Sequence, residues 1–304
     1  MQSTHHTLNL CCILKNTPHN MKHLLVILIS LTNIIAYGQD NSMPLSLTKK
    51  YFYGEIKNYK SVLIGEAKKQ QFNPHKISKN TVMEFETLML KDDKAAVAVS
   101  LTEGDQHTDL YTFWTKDNDW KIEAFRALWL PRVFYMYYDR FKDLDSAGIN
   151  SEYNKMIVEA KQRNDTLTHE QIVQQIGTLE DFQADIKNMR LTVNSDKKLS
   201  EHFHNNQEKF QSLLVKIQND SISQEKIWVI RKQPDYKDDL RDLLLSGISS
   251  RNDQSRIDFN IGGMIDNSVG YLYCKNPDDV PLMSDNGYIM IRDLGNGWYL
   301  YKTT

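Results

Sequence analysis

The stretch that decides the fold of the N-terminal half reads HTDLYTFWTK from 107 to 116, DND from 117 to 119 and WKIEAFRAL from 120 to 128. Apolar and polar side chains alternate along both outer segments, which is the pattern of half-buried β-strands. The middle segment consists of residues that favour turns. The stretch therefore predicts a β-hairpin.

Two further alternating runs precede this hairpin, at Val82 to Leu88 and Ala95 to Leu101, and the turn-forming KDDK at 91–94 separates them. Further upstream, apolar residues recur near helical spacing at Leu47, Phe52, Ile56, Tyr59 and Leu63. This periodicity predicts one amphipathic helix from about Pro44 to Ala67. One helix followed by a four-stranded meander is expected.

This order of elements, closed by YTFW at 111–114 and DWKIEAFR at 119–126, resembles the NTF2-like (cystatin-like α+β) superfamily. The resemblance covers roughly residues 44–128 and implies a curved sheet that wraps a helix to form a cone with a pocket. A generic antiparallel hairpin with aromatic cross-strand pairs is the alternative explanation of the same residues.

The rest of the chain mixes predicted helices and strands. Helices are predicted at Leu130 to Leu144 with a packed aromatic face, at Asn150 to Gln162, at His169 to Met189, from the N-cap Ser195 through Ile217, and at Tyr236 to Leu245. Strands are predicted at Ile227 to Arg231, Ile257 to Ile261, Val269 to Cys274, Tyr288 to Arg292 and Trp298 to Tyr301. The fold class is therefore α+β, with an NTF2-like domain over 39–145, a solvated helical connector over 146–190 and a second small α+β domain over 191–304.

The second domain carries SDKKL at 195–199, GYLY at 270–273 and GWYLY at 297–301. This combination resembles a recurrent set of uncharacterised exported bacterial proteins, and the resemblance implies no activity.

The N-terminus has the pattern of a secretory signal peptide over 21–38. A basic Met21-Lys22-His23 precedes an apolar run from Leu24 to Ile35 and the small-x-small site AYG. We expect cleavage between Gly38 and Gln39, a periplasmic or secreted protein, and a misassigned upstream extension over 1–20; whether Met1 or Met21 is the true start stays open. The run is shorter than the roughly 20 residues that span a bilayer, so no integral membrane segment is expected after cleavage.

Composition excludes some classes of function. Removal of residues 1–38 takes away two lysines and no acidic residue, so 35 basic residues stand against 39 acidic ones. The charge balance and the absence of a basic stripe argue against a nucleic-acid partner. Only Cys274 remains after cleavage, which excludes an intramolecular disulfide.

The candidate catalytic residues are His107, Asp109 and Tyr111, which alternate along one predicted strand and project from the same side. Inside a cone they would serve as a base and its hydrogen-bond partners. The alternative is that they lie on the solvent-exposed face of a half-buried strand. The candidate ligand-binding residues are Trp114, Trp120 and Tyr137, from a dense aromatic segment. Core packing explains that segment most simply, and a sugar- or lipid-binding surface is left open.

No metal or cofactor is predicted. His204 and Glu208 share a helix face, yet no H-E-x-x-H motif accompanies them, so His202, His204 and Glu208 are interpreted as solvated surface residues. The loop around Asp278 and Asp285 does not have the spacing of an EF-hand.

The favoured function is a non-enzymatic exported module that binds a ligand or another protein, the partner being an unknown small molecule or protein. The alternative is a small-molecule hydrolase or isomerase that uses the cone pocket with His107 and Asp109 as acid and base.

Overall fold

The computed structural model describes residues 43–70, 72–219, 234–250, 255–264 and 266–304. The predicted signal peptide, the upstream extension and the strand predicted at Ile227 to Arg231 lie outside these residues.

The fold is α+β, as the sequence predicts. The α-helices are α1 (Pro44–Phe52), α2 (Gly65–Gln70), α3 (Arg132–Phe141), α4 (Ser146–Arg163), α5 (His169–Ile176), α6 (Leu179–Thr192), α7 (Asp196–Asn205), α8 (Gln207–Asn219) and α9 (Pro234–Asp242). The strands are β1 (Val82–Leu90), β2 (Lys94–Glu103), β3 (Gln106–Lys116), β4 (Trp120–Arg126), β5 (Gly247–Ser250), β6 (Arg256–Met264), β7 (Asn267–Cys274), β8 (Tyr288–Gly295) and β9 (Trp298–Thr303). Short 3₁₀ turns lie at Tyr59–Val62, Pro74–Lys76 and Pro277–Asp279.

The strands form two antiparallel sheets. In the first sheet the order is β1-β2-β3-β4, which confirms the predicted meander. In the second sheet the order is β5-β6-β7-β9-β8. Strand β5 was not predicted, because its sequence GISS is short and shows no alternation of apolar residues.

Strands β2, β3 and β4 of the first sheet contribute buried side chains to both of its faces, whereas β1 has no fully buried residue. Tyr51 and Phe52 of α1 pack on one face together with Trp114 and Trp120, so aromatic side chains fill this side of the sheet. The opposite face contributes apolar side chains such as Phe113 to the same core as α7, α8 and the second sheet. One continuous apolar core thus joins the N-terminal sheet to the C-terminal half.

The prediction of one helix from Pro44 to Ala67 is wrong. Helix α1 ends at Phe52, because Gly54 has a φ of 70° and a side chain there would meet the ring of His75 at 2.9 Å. A positive φ of this kind favours glycine and ends the helix.

The predicted packing of the aromatic face of the helix over 130–144 is confirmed only in part: Phe134, Tyr138 and Leu144 are partly buried. Helix α3 forms, but Phe141 is its only buried residue, and Val133, Tyr135, Met136 and Tyr137 are exposed. The helical period is present in the sequence, but among the described residues few side chains pack against this helix.

The two long helices predicted in the second half are each interrupted. Helices α5 and α6 are separated at Gly177, where φ is 86°, and a capping box between Thr178 and Asp181 starts α6. Helices α7 and α8 are separated at Asn206, whose side-chain amide donates to the carbonyl of His202 at 2.9 Å. The Ser195 N-cap is confirmed, since its hydroxyl accepts from the amide of Lys198 at 3.2 Å.

The last part of the predicted connector is packed rather than solvated, since Ile186 of α6 is buried. Helix α6 packs on β6, and a side chain at Gly262 would collide with the hydroxyl of Thr192, the last residue of α6. Glycine at this position therefore permits the close approach of helix and strand.

Candidate functional site

Strand β3 places His107, Asp109 and Tyr111 on the face of the first sheet that points to the C-terminal half, and β2 lies beside it. The register pairs Ser100 with Asp109 and Thr102 with His107. Because residues two apart on a strand share a face, Asp109 continues the row that Tyr111 and Phe113 begin. The three candidate catalytic residues therefore lie together, on the side of the sheet away from α1.

Asp109 is the centre of this group and is almost completely buried. Its Oδ1 accepts from the hydroxyl of Ser100 at 2.8 Å and lies 2.8 Å from Nε2 of His107. Its Oδ2 accepts from the backbone amide of Asp196 at 2.7 Å and from the ammonium of Lys302 at 3.4 Å. Four donors thus saturate the carboxylate, and two of them belong to the C-terminal half.

Asp196 is a second buried carboxylate, at the first position of α7, where the helix N-terminus favours negative charge. Its Oδ1 lies 2.7 Å from the ammonium of Lys302 and accepts from the hydroxyl of Tyr111 at 2.9 Å. Arg292 lies 3.3 Å from its Oδ2 and bridges to Glu86 of β1 at 2.6 Å. We call Asp109, Tyr111, Asp196, Arg292 and Lys302 the polar network.

The charges of the network stabilise one another. Burial alone would raise the pKa of Asp109, but the ammonium of Lys302 and the donated hydrogen bonds lower it from 3.8 to about 2. Burial alone would lower the pKa of Lys302, and the carboxylates of Asp196 and Asp109 raise it instead. Burial and the same two carboxylates hold the pKa of Tyr111 well above its usual value. At neutral pH Asp109 and Lys302 are therefore charged and Tyr111 is neutral.

The hydrogen bonds of His107 decide what this group can do chemically. Its Nε2 lies against the carboxylate of Asp109, and its Nδ1 lies 3.0 Å from the hydroxyl of Thr102. Since ionised Asp109 only accepts, Nε2 carries a proton. Both ring nitrogens are therefore engaged within the protein, as is the hydroxyl of Tyr111. This arrangement favours a structural joint between the two halves.

A cavity of about 150 Å³ adjoins this joint. We call it the His107 cavity; its lining includes the following residues of β3, the segment after β4, α3, the turn before α7 and β9: His107, Thr108, Asp109, Leu128, Leu130, Tyr135, Asn194 and Lys302. Tyr135 connects the cavity to the exposed side of α3.

The exposed side of α3 and the residue before it form an apolar surface. Of the eleven large apolar side chains that lie exposed in the described residues, five fall between 129 and 137, and each exposes between 40% and 64% of its area. We call these five the aromatic surface: Trp129, Val133, Tyr135, Met136 and Tyr137. A concentration of exposed large apolar side chains on one segment favours a binding surface.

A groove of about 520 Å³ lies at Trp129, beside the other end of the same segment. We call it the Trp129 groove, and apart from Phe125 and Ala127 its remaining lining is polar: Glu66, Gln70, Arg126, Asn286 and Thr304. Ala127 lines both this groove and the His107 cavity. The aromatic surface is thus bordered by two polar recesses.

The three predicted ligand-binding residues do not lie together: two are buried and one is exposed. Trp114 is buried and donates from its indole nitrogen to the hydroxyl of Thr112 at 3.0 Å. Trp120 is buried in the same aromatic core, whereas Tyr137 is exposed on the aromatic surface.

The sequence interpretation missed Asp196, Arg292 and Lys302. A signal for Lys302 was available, since it continues the alternation of Trp298 and Leu300, which predicts that it shares their buried face. His202 was interpreted as solvated, and this is wrong: it is half-buried, its Nδ1 lies 3.0 Å from the hydroxyl of Tyr271, and burial lowers its pKa. His204 is exposed as predicted.

Among the described residues, His, Cys, Asp and Glu side chains do not form a group of three that could hold a metal ion. In the same part of the chain, none of the helices has both the length and the apolar character needed to cross a bilayer. No family model, curated protein sequence or solved structure matches this chain.

Proposed function

We propose that this protein is a non-enzymatic binding module that holds its partner on the aromatic surface. The observation that carries the proposal is the exposure of five large apolar side chains on one short segment, 129–137. Complete burial of such a side chain contributes roughly 1.5–3 kcal/mol, and these five, each 40–64% exposed, forgo a part of it. A partner that covers them recovers this free energy.

The environment of the surface supports the same proposal. The neighbouring segment of β4 is held in place, because the side chain of Gln70 exchanges two hydrogen bonds of 3.1 Å with the backbone of Phe125. Arg126 donates from Nε to the carbonyl of Asp285 at 2.5 Å and also pairs with Glu66. A surface presented on such a fixed frame loses little conformational entropy on binding.

The hydrolase or isomerase alternative has one observation in its favour, which is that His107 lines a cavity with Asp109 behind it. A general base needs a nitrogen that faces the substrate. Both nitrogens of His107 have protein partners, and Asp109 accepts four hydrogen bonds. These contacts favour the binding function over catalysis at His107.

We further propose that the protein works outside the cytoplasm, in the periplasm or after secretion; the signal-peptide pattern over 21–38 supports this. The NTF2-like origin of the N-terminal half remains a proposal as well, supported by the packing of α1 on a four-stranded meander.

Native mass spectrometry of the protein purified from its own cell envelope tests the binding function. We expect a bound mass that is lost in the variant Trp129→Ser/Val133→Ser/Met136→Ser/Tyr137→Ser, which removes the large side chains of the aromatic surface on both sides of Tyr135. The control is Val158→Ser/Val215→Ser, which replaces exposed apolar residues elsewhere and should retain the bound mass. Retention in the surface variant would contradict the proposal.

A further inference from the structure

We propose that the ligand of the aromatic surface is a saccharide chain, which stacks on Trp129 and lies in the Trp129 groove. This inference deepens the proposed function and rests on it. Its basis is the combination, within one groove, of an exposed indole ring with polar side chains from both halves of the molecule.

The groove combines an apolar surface with polar groups, and a sugar ring has the same two kinds of surface. A pyranose has an apolar face of C–H groups and a rim of hydroxyl groups. Trp129 is 64% exposed and offers a flat apolar ring. Glu66, Arg126 and Asn286 border it with groups that accept and donate hydrogen bonds.

The same chemistry argues against a purely apolar ligand. A lipid chain or an apolar helix that covered Trp129 would also remove water from Glu66 and Asn286, which are exposed at the groove. Burial of polar groups without new hydrogen bonds is unfavourable. Sugar hydroxyls can replace the lost water at each of these groups.

The groove has a suitable size and a fixed shape. Its volume of about 520 Å³ falls in the usual range for small-molecule sites. Helix α2, strand β4 and the loop at 285–286 supply its walls, and hydrogen bonds hold all three together. Thr304 is fixed as well, because its amide donates to the carbonyl of Gly287 at 3.1 Å.

Other exposed aromatic residues offer further contacts to a saccharide of several units. Tyr135 and Tyr137 expose rings on the same segment, and Tyr135 leads to a second polar recess, the His107 cavity. A polymer of several sugar units can therefore contact the groove with one unit and the helix with another.

Isothermal titration calorimetry of the purified protein with three soluble probes, chitohexaose, cellohexaose and maltohexaose, tests the inference. We expect at least one probe to bind and Trp129→Ala to weaken it by about tenfold or more, since a lost stacking contact of about 1.4 kcal/mol corresponds to that factor. Val158→Ala serves as the control, and its affinity should equal that of the wild type. The probe that binds identifies the source of the chain: chitohexaose indicates an N-acetylated amino sugar polymer, cellohexaose a β-glucan and maltohexaose an α-glucan.

Absence of binding for all three probes would overturn the inference, and so would equal affinity in Trp129→Ala. The two proposals fail separately. If native mass spectrometry shows a bound protein, and the surface variant no longer binds it, the proposal of a saccharide ligand is wrong and the proposed binding function is retained. A bound mass that the surface variant retains would contradict the binding function itself.

Discussion

The polar network and the aromatic surface lie close together. Charged side chains are usually exposed and large apolar ones buried, and in these two regions the reverse holds. The network buries two carboxylates, an ammonium and a tyrosine hydroxyl, with each charged group paired. The aromatic surface leaves five large apolar side chains in water. In this chain the residues that resemble catalytic groups join the two halves, whereas residues that resemble core are free to bind. Function is therefore better sought where apolar groups lack partners than where polar groups cluster.

The largest effect is expected at Lys302, which carries the positive charge between the two buried carboxylates. Lys302→Met keeps most of the side-chain volume and leaves Asp109 and Asp196 without this cation. We expect the free energy of unfolding at pH 7 to fall by about 3–5 kcal/mol, measured by urea denaturation. Lys57 is exposed, so the control variant Lys57→Met should leave the free energy of unfolding unchanged. A loss of less than about 1 kcal/mol in Lys302→Met would contradict the stabilising role of the polar network.

Acid should weaken the joint by a smaller amount. The pKa of Asp109 is lowered to about 2 in the folded protein, so its contribution is present above about pH 4 and is lost as the pH falls through 2. The expected contribution is about 2 kcal/mol. Between pH 4 and pH 2, the wild type should therefore lose more stability than Asp109→Asn. Parallel stability curves for the two proteins would show that the ionised carboxylate contributes nothing.

Tyr111→Phe should have a more moderate effect. It removes the hydroxyl that donates to Asp196 but retains the buried ring, and the carboxylate keeps Lys302 and Arg292. We expect a loss of about 1.5 kcal/mol, since hydrogen bonds to charged groups contribute roughly 1.5–3 kcal/mol. Thermal and urea denaturation measure the loss, and the exposed Tyr137→Phe is the matched control. Equal stability of the two variants would contradict the role of the hydroxyl.

The smallest effect on stability is expected on the aromatic surface. Met136→Ser/Tyr137→Ser removes two exposed side chains and should change the free energy of unfolding by less than about 0.5 kcal/mol. Urea denaturation provides the measurement. A loss comparable with that of Tyr111→Phe would mean that α3 depends on these side chains for packing, and the two regions would no longer differ in role.

Much of the fold could be predicted from local pattern. The alternation of β1 to β4 and the Ser195 cap depend on neighbouring residues, and both are confirmed. The breaks at Gly54, Gly177 and Asn206 were missed, because apolar periodicity continues across them while backbone conformation and capping end the helices.

The candidate site was predictable in part. Strand geometry alone brings His107, Asp109 and Tyr111 to one face. Their partners Asp196 and Lys302 are distant in sequence, and only the packing of the two halves brings them to Asp109. The exposure of α3 could not be predicted, because an amphipathic pattern does not tell whether another part of the chain will cover the apolar face.

Site-specific photo-cross-linking tests the central claim most directly. A photoreactive benzoylphenylalanine replaces Met136 on the aromatic surface or Val158 on α4 in the cells that make the protein, and both positions are exposed. The account predicts that illumination joins the protein to a specific partner, whether saccharide or protein, from position 136 and leaves position 158 without that product. The same product from both positions, or from 158 alone, would contradict the assignment of binding to the aromatic surface.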